Sequence, residues 1–176
     1  MLLYQVGMAN VIAPTRNSPE RNLKYLETKS DGAVGTIVFN HPEKRNALSS
    51  PLIKSVVKTL DEFARERIRA VVLRAQPGMK VWSSGHDVAE LPEGGRDPLG
   101  WDDPLRYLVR AIEELPAPVI AMIEGGVWGG ACEVAFACDL IIAAPSATFA
   151  VTPAGSAFPT TCRACSPFSM HVRSAS

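Results

Sequence analysis

Two short stretches hold the residues that could do chemistry in this chain, Ser83-Ser84-Gly85-His86-Asp87 and Trp128-Gly129-Gly130-Ala131-Cys132-Glu133. Glycine lets the backbone approach a ligand closely and reach dihedrals closed to other residues. N–H groups left without an intrahelical partner at a helix start meet negative charge with a favourable dipole. With one turn ending a strand and the other starting a helix, each can aim a backbone N–H into one cleft, the arrangement of an oxyanion hole. Each feature also has a plainer reading. A double glycine before a helix is common turn chemistry, and His86 suits a hydrogen-bonded surface turn. Glu133 in a first helical turn suits a dipole partner, and Lys44 suits a solvated loop charge.

The elements that must position these turns alternate along the chain. Val34 to Asn40 is β-branched and strand-like, and His41-Pro42-Glu43-Lys44-Arg45-Asn46 breaks it as a polar loop. A helix follows, with Ser50 as N-cap and Pro51 at the first helical position; Leu52, Val56, Val57, Leu60 and Phe63 share one face. Ala70 to Ala75 then reads as a buried parallel strand, which closes a βαβ unit. Val81 to Gly85 runs as a strand into a turn, and Asp87 with Glu90 resembles a capping box opening a short helix. Residues 92–103 read as a polar loop. Asp103 and Pro104 open a helix whose Leu105, Leu108, Val109, Ile112 and Leu115 keep the helical period. Strands are expected at 119–123, 140–144 and 148–150, with a small-residue helix from the second glycine turn through Ala137. Strands alternating with helices make this an α/β chain.

Composition removes several function classes. The 18 Lys and Arg balance 18 Asp and Glu, without the basic excess of a nucleic-acid binder or the charge run of a membrane-surface patch. A hydrophobic share of 47% fits a core-forming chain, and no apolar run has the length of a membrane span. Cys132, Cys138, Cys162 and Cys165 do not make a secreted disulfide framework, so a reducing, cytoplasmic setting is expected. Cys162 and Cys165 have neither a second pair nor suitably spaced histidines, and no metal site is expected.

Four pieces of the chain resemble the crotonase (enoyl-CoA hydratase/isomerase) superfamily. They are His41 through Leu48, the Ser84-Gly85-His86-Asp87 turn, Gly129 through Glu133, and Cys138 through Ala144. Gly85-His86-Asp87 with Glu90 through Leu99, together with Val127-Trp128-Gly129-Gly130, looks like the branch that decarboxylates methylmalonyl-CoA to propionyl-CoA. The resemblance implies a crotonase-like fold of ββα repeats wound as a spiral, and a carboxy-lyase. It implies an acyl-CoA substrate, no separate cofactor, and full-length relatives that assemble as trimers or hexamers. It makes His86 and Gly130 the donors to the thioester carbonyl and Glu133 an acid/base carboxylate. Lys44, Ala47 and Leu48 would lie along the coenzyme A moiety, joined at the cleft by Ser84, Asp87 and Val88. The alternatives are a hydratase or isomerase of the same family, and a non-catalytic fragment that binds CoA or docks on other subunits.

The resemblance runs from about residue 23 to residue 153. Residues 1–22 read as an extension, with Met8 as an alternative start, and 23–154 as the N-terminal core of the fold. Past Ala154 the pattern stops. A family-like continuation, written in suitable codons and read one base out of frame, translates as Ser156 through Pro167. Residues 155–176 are therefore expected to be an out-of-frame tail without a defined fold, in which Cys162, Cys165 and His171 carry no chemistry. A core truncated in this way is expected to lack the tyrosine and second carboxylate of its relatives, to expose apolar surface that favours aggregation, and to be impaired in activity.

Overall fold

A computed structural model of the chain describes residues 21–91, 102–151 and 173–174. The β-branched run of the sequence is β3 (Val34–Phe39), but it does not begin the sheet. It pairs antiparallel with β2 (Leu26–Asp31), which pairs in turn with β1 (Arg21–Asn22). Strand β2 was not legible as one, because its inward positions are Leu26, Thr28 and Ser30, and two of these three are polar. Strand β1 thus lies just before residue 23, where the core is expected to begin, and pairs with β2 inside it.

From β3 onward the chain repeats one unit. Helix α1 (Ser50–Arg65) crosses to β4 (Ala70–Ala75), parallel to β3. A short strand, β5 (Val81–Ser83), and helix α2 (Pro104–Glu113) follow. The next turn of the spiral holds β6 (Val119–Ile123), β7 (Gly126–Trp128) and helix α3 (Gly130–Ala137). Then come β8 (Leu140–Ala143) and β9 (Thr148–Ala150). Strands β4, β6 and β8 lie side by side in a seven-stranded sheet ordered β1-β2-β3-β4-β6-β8-β10, where β10 is Arg173–Ser174. Strands β5, β7 and β9 form a separate three-stranded parallel sheet. This is a ββα spiral, as the resemblance implied. Strand β7 does not show in the sequence, since Gly-Val-Trp is too short and glycine-rich to carry a strand period.

Core packing follows the periodicities of the sequence. Leu52, Ile53, Val56, Leu60 and Phe63 of α1 are buried in one core with Leu105, Leu108 and Ile112 of α2; α1 packs on β2 and β3, and α2 on α1 and α3. Full burial of each such side chain contributes about 2 kcal/mol. The Phe63 ring lies so close over β3 that a methyl group at Gly35 would come within 2.5 Å of it. Val57, Val109 and Leu115 are only partly buried.

Two caps differ from the sequence reading. The N-cap of α1 is Ser49, not Ser50, and Ser49 makes no side-chain cap. Instead Glu90 Oε2 accepts from both the Ser50 N–H, at 2.8 Å, and the Ser50 hydroxyl, at 2.7 Å. Glu90 therefore does not complete a capping box with Asp87. A carboxylate at a helix N-terminus gains from the dipole, and the tertiary fold supplied one from forty residues away. Asp87 does cap its own short 3-10 turn, Val88–Glu90, by accepting from Ala89 N–H.

No helix among the described residues is long and apolar enough to cross a membrane. Most of the tail expected at 155–176, including Cys162, Cys165 and His171, lies outside the described residues. So do residues 1–20 and most of the polar loop expected at 92–103.

Candidate functional site

Parallel neighbours end at the same edge of a sheet, so the turns that leave β5 and β7 emerge together. Gly85 has φ +86, and a methyl group built on it would lie 2.6 Å from Trp128 O and 2.9 Å from Gly130 N. Gly129 has φ 55, and α3 begins at the next residue. The two glycine turns thus abut backbone to backbone. Among the described residues neither His86 N–H nor Gly130 N–H has a hydrogen-bond partner.

The loop before α1 is fastened to this edge. Arg45 and Asn46 both take positive φ, which Asn tolerates better than most residues. Asn46 is fully buried; it accepts from His41 N–H at 2.9 Å and donates to Trp82 O at 3.0 Å. Ser83 Oγ donates to Asn46 O, Ser84 N–H to Arg45 O, and Leu48 N–H to Gly85 O. Ala47 and Leu48 are buried beside the turn as a result. Sequence reading treated Asn46 only as part of a polar loop.

Lys44 reaches across this seam, its Nζ donating to Asp87 Oδ2 at 2.7 Å. The ammonium beside it holds the Asp87 carboxyl below the ordinary carboxylate range, while the carboxylate raises Lys44. A depressed carboxylate contributes stability above its unfolded pKa and loses it as pH falls through the folded value. Asp87→Asn is therefore expected to melt below wild type at neutral pH. The gap should close as acid titrates Asp87, in thermal melts across a pH series.

Leu48, Ile53, His86, Asp87, Glu90, Asp103 and Pro104 are among the residues lining a pocket at this edge. Gly130, Glu133, Lys44, Ala47, Ser84 and Val88 are not among its lining, although Ala47 and Val88 flank Leu48 and Asp87 in the chain, Lys44 is bonded to Asp87, and Gly130 lies against the His86 ring. Val88 is 78% exposed, on the outer side of the 3-10 turn. Glu133 sits on α3 one turn from Gly130, partly buried and within electrostatic range of Arg106, His86, Asp103 and Glu113. Burial pushes its carboxyl up, against the opposing pull of Arg106 and His86. A raised carboxyl favours folding below its unfolded pKa, and that advantage is lost as pH rises through the folded value. Glu133→Gln is expected to raise the melting temperature at neutral pH and to have no effect in acid, a difference that paired melts would read.

Sequence reading had Asp103 only as a helix opener. It is that, accepting from Leu105 N–H at 2.7 Å, but both of its oxygens also lie 3.3 Å from His86 Nε2. An aspartate ahead of a helical proline signals a cap; nothing in the sequence signals the histidine. Cys132 and Cys138 are buried, and burial pushes the Cys138 thiol up to about 12, which keeps it inert. Among the described residues no group of three or more His, Cys, Asp or Glu side chains is placed to hold a metal ion.

Comparison with known proteins places the chain in a family. A family described as enoyl-CoA hydratase/isomerase matches residues 29–156. Methylmalonyl-CoA decarboxylase of Escherichia coli (strain K12) is 48% identical over 130 residues, covering 74% of this chain and 50% of that protein. A crystal structure of methylmalonyl-CoA decarboxylase complexed with 2S-carboxypropyl-CoA superposes with a TM-score of 0.73 at 47% identity, over 77% of this chain and 52% of that one. Enoyl-CoA hydratase domain-containing protein 3 of Danio rerio is 34% identical over 125 residues, covering 70% of this chain and 43% of the relative. The chain spans about half the length of the curated relatives it matches.

Proposed function

Because this chain belongs to the enoyl-CoA hydratase/isomerase family, we propose that its cleft binds a coenzyme A thioester and serves the decarboxylation of methylmalonyl-CoA to propionyl-CoA. The observation that carries this reading is the meeting of the Gly85 and Gly129-Gly130 turns, with two N–H groups left unpaired among the described residues. When CO₂ leaves, the electrons of the broken C–C bond pass into the thioester and its oxygen becomes an enolate oxygen. A hole formed by His86 N–H and Gly130 N–H holds that oxygen, and one such donor is worth about 3 kcal/mol in the transition state. The enolate then takes a proton at carbon. Glu133, which burial favours in its protonated form, is the acid/base group of the reading.

Lys44, Ala47 and Leu48 take the coenzyme A moiety along the fastened loop, with Ser84, Asp87 and Val88 at its mouth. The thioester is substrate, and the reading calls for no metal or organic cofactor. It extends to a cytoplasmic setting and to trimeric or hexameric assembly of the complete fold. Decarboxylation is preferred to hydration because 48% identity to the decarboxylase exceeds 34% to the hydratase-domain protein.

The test is calorimetric titration of the purified chain with propionyl-CoA, then incubation with methylmalonyl-CoA while CO₂ and propionyl-CoA are followed. Binding with CO₂ release supports the reading. Hydration of crotonyl-CoA without CO₂ release assigns the hydratase activity instead. Binding without turnover of either thioester leaves a CoA-binding fragment, and absence of binding refutes the reading altogether.

A further inference from the structure

We infer that Asp103 is a positioning residue that sets the distance between the two N–H donors of the cleft. The inference deepens the proposed function and rests on it for its catalytic consequence. Its structural basis is independent of any ligand.

A methyl group built on Gly130 would meet His86 Nδ1 at 2.7 Å, His86 Cε1 at 3.1 Å and Leu105 Cδ2 at 2.9 Å. The imidazole and the leucine together occupy the space beside the Gly130 Cα. Both are held by one carboxylate. Asp103 Oδ1 accepts from Leu105 N–H at 2.7 Å, and both Asp103 oxygens lie 3.3 Å from His86 Nε2. An ionised carboxylate can only accept, so Nε2 carries the proton of this contact. Asp103 is 9% exposed, so water competes little for it.

A chain of contacts therefore runs from the α2 N-cap through the His86 ring to Gly130. His86 supplies one donor from its backbone and, through its ring, a spacer against the residue that supplies the other. Freed from Asp103, the ring can turn about χ1 and χ2, and the spacing it maintains is lost. Misplacement on the order of 1 Å in a reacting constellation can cost roughly a hundredfold in rate.

Two substitutions separate this role from helix capping. Serine is as good an N-cap as aspartate, but its hydroxyl is too short to cap Leu105 and reach the ring. Asparagine retains Oδ1, the oxygen that accepts from Leu105 N–H and lies near Nε2. In Asp103→Ser the melting temperature is expected to stay close to wild type while the amide resonances of His86 and Gly130 shift; in Asp103→Asn they return towards the wild-type positions. With methylmalonyl-CoA, Asp103→Ser is expected to lower kcat at least tenfold with KM within about twofold, because the defect lies in holding the enolate. Unmoved His86 and Gly130 amides in Asp103→Ser overturn the inference, as does an Asp103→Asn variant displaced as far as Asp103→Ser. A wild-type spectrum that ignores saturating propionyl-CoA refutes the thioester reading instead, and the comparison of variants still decides the positioning role.

Discussion

Gly85→Ala is expected to abolish thioester binding and to destabilise the chain by about 3 kcal/mol. Two costs combine. A side chain in the left-handed half of φ costs about 1–2 kcal/mol, and Gly85 sits at φ +86. The new methyl group would also meet Trp128 O at 2.6 Å and Gly130 N at 2.9 Å, both backbone atoms with no rotamer to move away. The two turns must separate, and with them the two donors. Gly78 supplies the internal control: it has φ +78, but no atom lies within 4 Å of the position its methyl group would take. Gly78→Ala is expected to show the dihedral cost alone, about 1 kcal/mol, and unchanged propionyl-CoA affinity. Urea midpoints and calorimetric titration of both variants check the pair of outcomes. Equal losses in the two would show that contact across the turns is unimportant.

Asn46→Ala is expected to cost about 4 kcal/mol, read as a fall in urea midpoint at unchanged m-value. The side chain is fully buried and joins two backbone groups in the interior, His41 N–H and Trp82 O. Removing it leaves both without that partner, and each buried group stripped of its hydrogen bond costs about 1–3 kcal/mol. Asn46→Asp is expected to recover little of this. A carboxylate still accepts from His41 N–H but cannot donate to Trp82 O, and it brings a buried charge. The loop holding Lys44, Ala47 and Leu48 would loosen from the β5 turn in either variant, so thioester affinity should fall along with stability. Full affinity in a destabilised Asn46→Ala chain would detach that loop from the site.

Both variants fail at long-range contacts, and these are what sequence reading could not supply. Strands β3, β4 and β6 and helices α1 and α2 were legible because their apolar residues recur at the period of the element and face one core. Strand β2 was not, since Thr28 and Ser30 point inward and hydrophobic alternation never appears. Strand β7 was not, because three residues carry no period and only pairing between β5 and β9 makes them a strand. The Ser50 cap was misplaced because its true partner, Glu90, is remote in sequence.

The candidate site divides along the same line. Residue types alone determined the two glycine turns, their place at a strand end and a helix start, and the chemistry such turns can host. Local dihedral freedom and helix dipoles are properties of a few adjacent residues, so they can be read from a few adjacent residues. That the turns meet, that Asn46 pins its loop to the first of them, and that Asp103 holds the His86 ring against Gly130 were decided only in three dimensions. Each depends on which strands become parallel neighbours and at what register. That choice is made by burial of the whole sheet, and no single segment encodes it.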